Sequence, residues 1–348
     1  MEIRNETGIT FDDVLLEPRK STVSSRFDGN IDFSSKILPD ISLPYPIVSA
    51  NMDTVTEIEM AEAMRQFGGL GIIHRFMKIE KHGRQILALK GPKVGCVGVG
   101  KDGRERALAL KSACDAILVD IAHGHCDAMI KQISWLKREI GLPIIAGNVA
   151  TPEGALELAN AGADCIKIGV GPGSLCTTRI KTGAGVPQLT AIMNARKALD
   201  WVYFNRKAGS WNPTIIADGG IRCSGDIIKA FAAGASAVMV GRLFAGTDEA
   251  PGDVINISGK GKIKVYRGMA SKEAQESWKG KATSVEGEMT WVSYKGRVED
   301  VFNELLSGML SGMSYQNAHN LVELSKNAVF IRQTPAGYME AQPHALKK

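Results

Sequence analysis

The chain has 348 residues, 44% apolar and 23% charged, the balance of a globular protein that buries one large core or two smaller ones. A formal charge of +5, with no dense Lys/Arg block interleaved with aromatics, argues against a nucleic-acid partner and suits small phosphorylated ligands. No apolar run approaches the roughly 18 residues that cross a bilayer, and the cysteines show no C-x-x-C spacing, which argues against structural zinc and a disulfide framework.

In chain order, an N-terminal arm runs to about Leu43. It opens Met-Glu-Ile-Arg-Asn-Glu, without an apolar export segment, so a cytoplasmic protein with reduced thiols is expected. Short apolar runs then recur at Ile47–Ala50, Leu70–Ile73, Val94–Val97, Ala116–Asp120, Pro143–Gly147, Cys165–Ile168, Thr214–Ala217 and Ala237–Val240. Most are apolar throughout, as parallel strands buried on both faces require. Between them, Glu57–Phe67, Gly103–Ala113, Cys126–Glu139 and Pro152–Ala161 carry apolar residues at three-to-four spacing and read as crossover helices. Eight such units predict an α/β fold, a closed (β/α)₈ TIM barrel, with a doubly wound open sheet as the rival arrangement. The stretch 246–296 reads as an irregular flap segment. Beyond it, Val298, Val301, Phe302, Leu305, Leu306, Met309, Leu310 and Met313 form one stripe at helical spacing, which predicts C-terminal helices closing or flanking the barrel. No linker or low-complexity stretch divides residues 1–348, so a single domain is expected.

Barrel active sites form where the strands end at their C-termini, which sorts the candidate loops. The sixth strand is followed by Gly169-Val-Gly-Pro-Gly-Ser-Leu-Cys-Thr-Thr-Arg179 and then Lys181-Thr-Gly-Ala-Gly-Val-Pro-Gln188. Glycines let such a loop approach a ligand closely. Cys176 sits among hydroxyls beside Arg179, and a nearby cation raises the thiolate fraction. It is a candidate nucleophile, with a packed core thiol as the alternative, the role expected of Cys96, Cys114 and Cys165. After the seventh strand comes Asp218-Gly-Gly-Ile-Arg-Cys-Ser-Gly-Asp226, and after the eighth Gly241-Arg-Leu-Phe-Ala-Gly246. These are the loops with which barrels bind phosphate, with Ser224 as a helix N-cap and Asp218 as an acceptor for ribose hydroxyls. FMN and a nucleotide substrate fit equally well at this point. Asp120-Ile-Ala-His-Gly-His125 follows the fourth strand. His123 and His125 could serve as bases or cofactor contacts, while no Glu-x-x-His or Cys cluster completes a metal site. The partial Gly-x-Gly of Cys96-Val-Gly-Val-Gly-Lys101 reads as the end of the third strand and its turn.

Taken together, these loops resemble the IMP dehydrogenase/GMP reductase family. The matching text comprises Phe11-Asp-Asp-Val-Leu-Leu16, Ser49-Ala-Asn-Met-Asp-Thr-Val55, Ala146-Gly-Asn-Val149, Gly169 to Gln188, Ala217-Asp-Gly-Gly220, Tyr266-Arg-Gly-Met269 and Tyr294-Lys-Gly296. The Gly-Pro-Gly-Ser-x-Cys-Thr-Thr-Arg loop is specific to that family. The resemblance implies Cys176 as nucleophile, with Thr178 and Glu286 as a proton relay. It implies Ser174, Asp218, Gly219, Gly220, Gly241 and Arg242 at the phosphate and ribose of GMP or IMP, and Gly268, Met269 and Ala270 at the base edge. Ser25, Arg26, Arg75, Asp120, Ile121, Ala122, Val170 and Gly171 would face a nicotinamide cofactor, NADPH. Carbonyls of Gly171, Gly173 and Cys176 would hold potassium, and the assembly would be a homotetramer.

Two branches share this pattern. No pair of CBS modules fits between His74-Arg75 and the third strand, and the stretch from Met269 to Tyr294 lacks the Arg-Tyr pair with which dehydrogenases activate water. Glu286-Gly-Glu resembles the reductase's Glu-Gly segment. In the other direction, His123 stands where reductases show Asn, Arg75 where they show Lys, and Arg242 where they show Gly. The balance implies NADPH-dependent reductive deamination of GMP to IMP and ammonia, with dehydrogenation of IMP to XMP by NAD as the alternative.

Overall fold

The computed structural model describes residues 3–23, 30–203, 211–259 and 261–343. Eight parallel strands form its central sheet: Ile47–Ser49, Leu70–Gly71, Val94–Val97, Ala116–Asp120, Ile144–Val149, Cys165–Ile168, Thr214–Asp218 and Ala237–Val240. Sequential strands neighbour one another from the third to the eighth, and the eighth then pairs with the first in the register Val238↔Ile47, Met239↔Val48 and Val240↔Ser49. That wrap-around separates a barrel from a doubly wound sheet. The fold is a (β/α)₈ barrel. Among the described residues, the second and third strands are the one neighbouring pair without a ladder.

Each strand feeds a helix, in order Ile58–Gln66, Ile79–Ala88, Gly100–Leu110, Asp127–Glu139, Pro152–Ala161, Gln188–Tyr203, Ser224–Ala232 and, after the flap, Val298–Tyr315. Local chemistry sets their ends. Before Pro152–Ala161 the Thr151 hydroxyl accepts the Gly154 amide at 3.1 Å, Pro152 takes the first helical position, and Gly162 closes the helix at φ 113°. In Val298–Tyr315 the predicted stripe buries Val298, Phe302, Leu305, Met309 and Met313, with Val301, Leu306 and Leu310 packed at its margin. This helix lies close against Ser224–Ala232, since a Cβ at Gly312 would stand 2.7 Å from Ile228 Cγ1. Among the described residues no helix is long and apolar enough to cross a membrane.

Two features depart from the sequence reading. The flap is not irregular: residues 246–296 contain an antiparallel sheet of Ile255–Ile257, Gly261–Arg267 and Met289–Ser293, and a helix Lys272–Lys279. Its apolar pattern is masked by Lys264, 2% exposed, whose ammonium donates to the carbonyls of Thr247 (3.0 Å) and Ala250 (2.5 Å). The arm, which the sequence delimits only as running to about Leu43, also pairs with a segment near the other end of the chain. Val14–Leu16 pairs antiparallel with Phe330–Arg332, tying both chain ends together beside the barrel.

Candidate active site

A cavity of about 430 Å³ opens at the C-terminal ends of the strands. Its walls bring together Arg75, Asp120, Ile121, Ala122, Gly171, Gly173, Ser174, Cys176, Thr178, Asp218, Gly219, Gly268, Met269, Ala270 and Glu286, all expected at the site. Four expected residues stand behind or beside this wall. A Cβ on Gly241 would be 3.0 Å from Tyr266 Oη, itself on the cavity wall, and one on Gly220 would touch the Phe11 ring at 3.4 Å. Val170 packs against the core with its carbonyl taken by Arg179, and the Arg242 residue is exposed. Ser25 and Arg26 lie outside the described residues.

The sixth-strand loop needs its glycines. Gly169 has φ 149°, and a Cβ there would fall 2.0 Å from the Asp218 carbonyl oxygen. The Arg179 guanidinium ties the loop down through Val170 O (3.1 Å) and Val186 O (2.6 Å), so its hydrogen bonds serve the backbone. At the loop's centre the Cys176 thiol donates to Thr178 Oγ1 at 3.1 Å, and the Thr178 hydroxyl donates to Glu286 Oε2 at 2.8 Å. Main-chain pairing holds this row in place: Thr177 N donates to Glu286 O (2.9 Å), Glu288 N to Leu175 O (3.0 Å) and Gly268 N to Glu288 O (3.0 Å). By contrast, Cys96, Cys114 and Cys165 are buried, and burial pushes each thiol up to about 12, as inert core residues. Ser224 is not an N-cap but the first residue of its helix. Cys223 takes the cap position, and Asp226 accepts the Arg222 amide at 2.9 Å.

A thiol, a hydroxyl and a carboxylate in line, set in a glycine-rich mouth beside two further glycine loops, form an arrangement that can support nucleophilic chemistry on a phosphorylated ligand. The domain description "IMP dehydrogenase / GMP reductase domain" matches residues 8–344. The chain belongs to the IMP dehydrogenase/GMP reductase family. It is 37% identical to the inosine-5′-monophosphate dehydrogenase of Borreliella burgdorferi, over 97% of this chain and 96% of that protein. It is 34% identical to the one from Nitrosopumilus maritimus, over 97% and 98%. That second alignment spans 478 positions, so this relative carries residues with no counterpart here. The fold of this chain is similar to that of a Cys-to-Ala variant of Trypanosoma brucei GMP reductase in complex with guanosine 5′-monophosphate, with a TM-score of 0.89, 31% identity and 98% of each chain covered.

In this member of the IMP dehydrogenase/GMP reductase family, an oxidoreductase family, several wall residues escaped the sequence reading. Lys167 sits beneath the cavity between Asp120 and Asp218, and its only signal was a charge inside the apolar run Cys165-Ile-Lys-Ile168. Asn148 donates to Asp218 Oδ2 and Gly169 O, both at 2.8 Å. On the far wall the Arg75 guanidinium lies 4.6 Å from the Phe76 ring centroid and 5.8 Å from that of Trp278, and the two rings meet edge to face at 5.2 Å. The helix carrying Trp278 belongs to the flap, where no pattern distinguished it. His123 is exposed and His125 faces Glu157 at 3.1 Å; neither lines the cavity. Among the described residues no three His, Cys, Asp or Glu side chains converge as a metal site.

Proposed function

We propose that the protein is a GMP reductase: GMP, NADPH and a proton give IMP, ammonia and NADP⁺. The observation that carries this reading is the hydrogen-bonded row Cys176–Thr178–Glu286. The Cys176 thiol passes its proton through Thr178 to Glu286, and the thiolate adds to C2 of the purine, forming the S–C2 bond as the C2–N3 π pair moves onto N3. The exocyclic amine leaves as ammonia, taking its proton from the carboxyl of Glu286 through the Thr178 hydroxyl, and a thioimidate remains. Reduced nicotinamide, when bound, supplies a hydride to C2. The C2–S bond then breaks and Cys176 departs as thiolate, giving IMP. Ammonia loss needs an acid, which this row provides. Hydrolysis of the same intermediate needs an activated water, and no Arg-Tyr pair occurs between Met269 and Tyr294.

Asp218 would accept from the ribose hydroxyls, Ser174, Gly219, Gly220, Gly241 and Arg242 would take the phosphate, and Gly268, Met269 and Ala270 the base edge. The cofactor would sit beside Arg75 and Trp278, whose Nε and Nε1 are buried without a protein partner. Arg75, Asp120, Ile121, Ala122, Val170 and Gly171 would hold it there, with Ser25 and Arg26 carried by resemblance. Potassium, a hard cation, suits the carbonyls of Gly171, Gly173 and Cys176, although Gly173 O already accepts the Cys176 amide at 3.0 Å. A cytoplasmic homotetramer completes the reading.

The curated relatives are named IMP dehydrogenases, which keeps a second reading in view: IMP, NAD⁺ and water giving XMP and NADH. One preparation assayed both ways decides. GMP-dependent NADPH oxidation with equimolar ammonia is expected. NADH formation from IMP in its place would establish the dehydrogenase, and binding without turnover of either would overturn both.

A further inference from the structure

Lys167 occupies the sixth strand between Ile166 and Ile168 and is 2% exposed. Its ammonium lies 2.6 Å from Asp120 Oδ1 and 2.7 Å from Asp218 Oδ2, so one buried cation joins the ends of the fourth and seventh strands. Each carboxylate is fixed by an amide as well. Asn51 Nδ2 donates to Asp120 Oδ2 at 3.0 Å, and Asn148 Nδ2 to Asp218 Oδ2 at 2.8 Å. Both contacts to Asp218 therefore fall on Oδ2, which leaves Oδ1 outside them.

We infer that Lys167 is a positioning residue that keeps Asp120 and Asp218 ionised together, so that the two lobes of the cavity accept hydrogen bonds from nucleotide and cofactor at once. This rests on the reading above, in which Asp218 takes the ribose and Asp120 the cofactor. The argument is electrostatic. Two carboxylates touching one nitrogen are close neighbours, and in a buried setting like charges that near cannot both ionise without a cation. Few other groups offer one. Arg75 adds a smaller attraction to Asp120 than Lys167 does, its hydrogen bond there going to the main-chain carbonyl at 3.5 Å, while Cys96 (held neutral by burial, its thiol pushed up to about 12) and Tyr266 (phenol also raised by burial) bring no charge. Burial pushes Asp120 up, yet Lys167 overrides it and the carboxyl sits below its ordinary value. Burial likewise disfavours the ammonium, and the two aspartates more than restore it.

Carbon-13 NMR of the aspartate carboxyls, without ligand, and calorimetric GMP titration between about pH 6.5 and about 9 test this on wild type, Lys167→Met, Lys167→Arg and the double variant Lys167→Met/Asp120→Asn. Wild type and Lys167→Arg should show both carboxyls ionised throughout. Lys167→Met should show one carboxyl titrating inside this range, and GMP affinity falling about tenfold for each unit of pH below that carboxyl's pKa. The double variant has no like charge left and should lose the new titration, and it serves also where the single variant fails to fold. Two ionised carboxyls and a wild-type affinity profile in Lys167→Met, or a persisting titration in the double variant, would overturn the inference. If wild type binds no GMP, the nucleotide assignment falls, and the carboxyl signals decide the ionisation claim separately.

Discussion

Cys176 occupies a half-buried place on a loop pinned at both ends, and under the proposed function the consequences of removing single side chains follow from that. Cys176→Ala should reduce GMP-dependent NADPH oxidation by on the order of 10³-fold or more, while calorimetric GMP affinity stays within a few-fold, because the residues proposed for the phosphate and ribose lie elsewhere. Glu286→Gln keeps the shape of the row but removes its proton. Ammonia release in a single turnover should slow about 10²- to 10⁴-fold, and an unchanged rate would place the acid on another group. Legibility at this scale depended on chain proximity. Cys176 and its glycines announce themselves within a dozen residues. Glu286 lies 108 residues from Thr178, and only the family resemblance joined them. Lys167 was read as part of an apolar strand because no local rule separates a charge satisfied at depth from one exposed at an edge.

Among the elements, the eight strands were legible because most are apolar on both faces and set apart by helices and loops, whereas the flap sheet mixes Gly and Lys into its strands and hides them. Pairing of Val14–Leu16 with Phe330–Arg332 could not be read, since it joins segments at opposite ends of the chain. That pairing gives the arm a task. Phe11 abuts Gly220, and Arg222 donates to Asp12 (2.8 Å to Oδ2, with a second close contact to Oδ1) and to Asp226 at 3.3 Å. Lys229 donates to Phe11 O at 2.8 Å. The arm thus braces the glycine loop assigned to phosphate. Asp12→Ala should raise KM for GMP several-fold with kcat nearly constant. The melting temperature should move little, since a half-exposed ion pair contributes under about 1 kcal/mol. Paired kinetics and a thermal melt check this; a large stability loss with unchanged KM would make the brace purely structural.

For the molecule as a whole, the helices after the second and third strands and the loops beside them carry polar groups whose ionisation shapes stability. His82 is buried against Arg106 at 3.4 Å. Burial first, then the Arg106 and His74 charges, push its imidazole down from 6.5 to about 3. The folded state therefore binds fewer protons than the unfolded chain between these values, so His82's contribution is full above about pH 6.5 and lost as pH falls toward 3. Glu57 adds to the same side. Its hydrogen bond with His74, then those with Gln85 and Lys81, hold the carboxyl at about 2 against burial, and that stability drains below about 4.5. Unfolding free energy should fall by on the order of 4 kcal/mol between about pH 7 and about pH 4, measured by urea denaturation. In His82→Leu the upper part of that slope should flatten, and an undiminished slope would locate the proton uptake elsewhere.

The contact between the Glu286–Glu288 stretch and the Cys176 loop is made by main-chain amides, and alternate residues of such a pairing point to opposite sides. A shift of one position would leave the flap fastened while presenting Val285 or Gly287 to Thr178 in place of the carboxylate. If Glu286 is the acid of the proposed reaction, the number of residues between Gly280 and Glu286 is a catalytic variable in its own right, independent of their side chains. Deleting one residue within 281–284 should yield a protein that folds and captures nucleotide yet no longer releases ammonia, as calorimetry and an ammonia assay would show together.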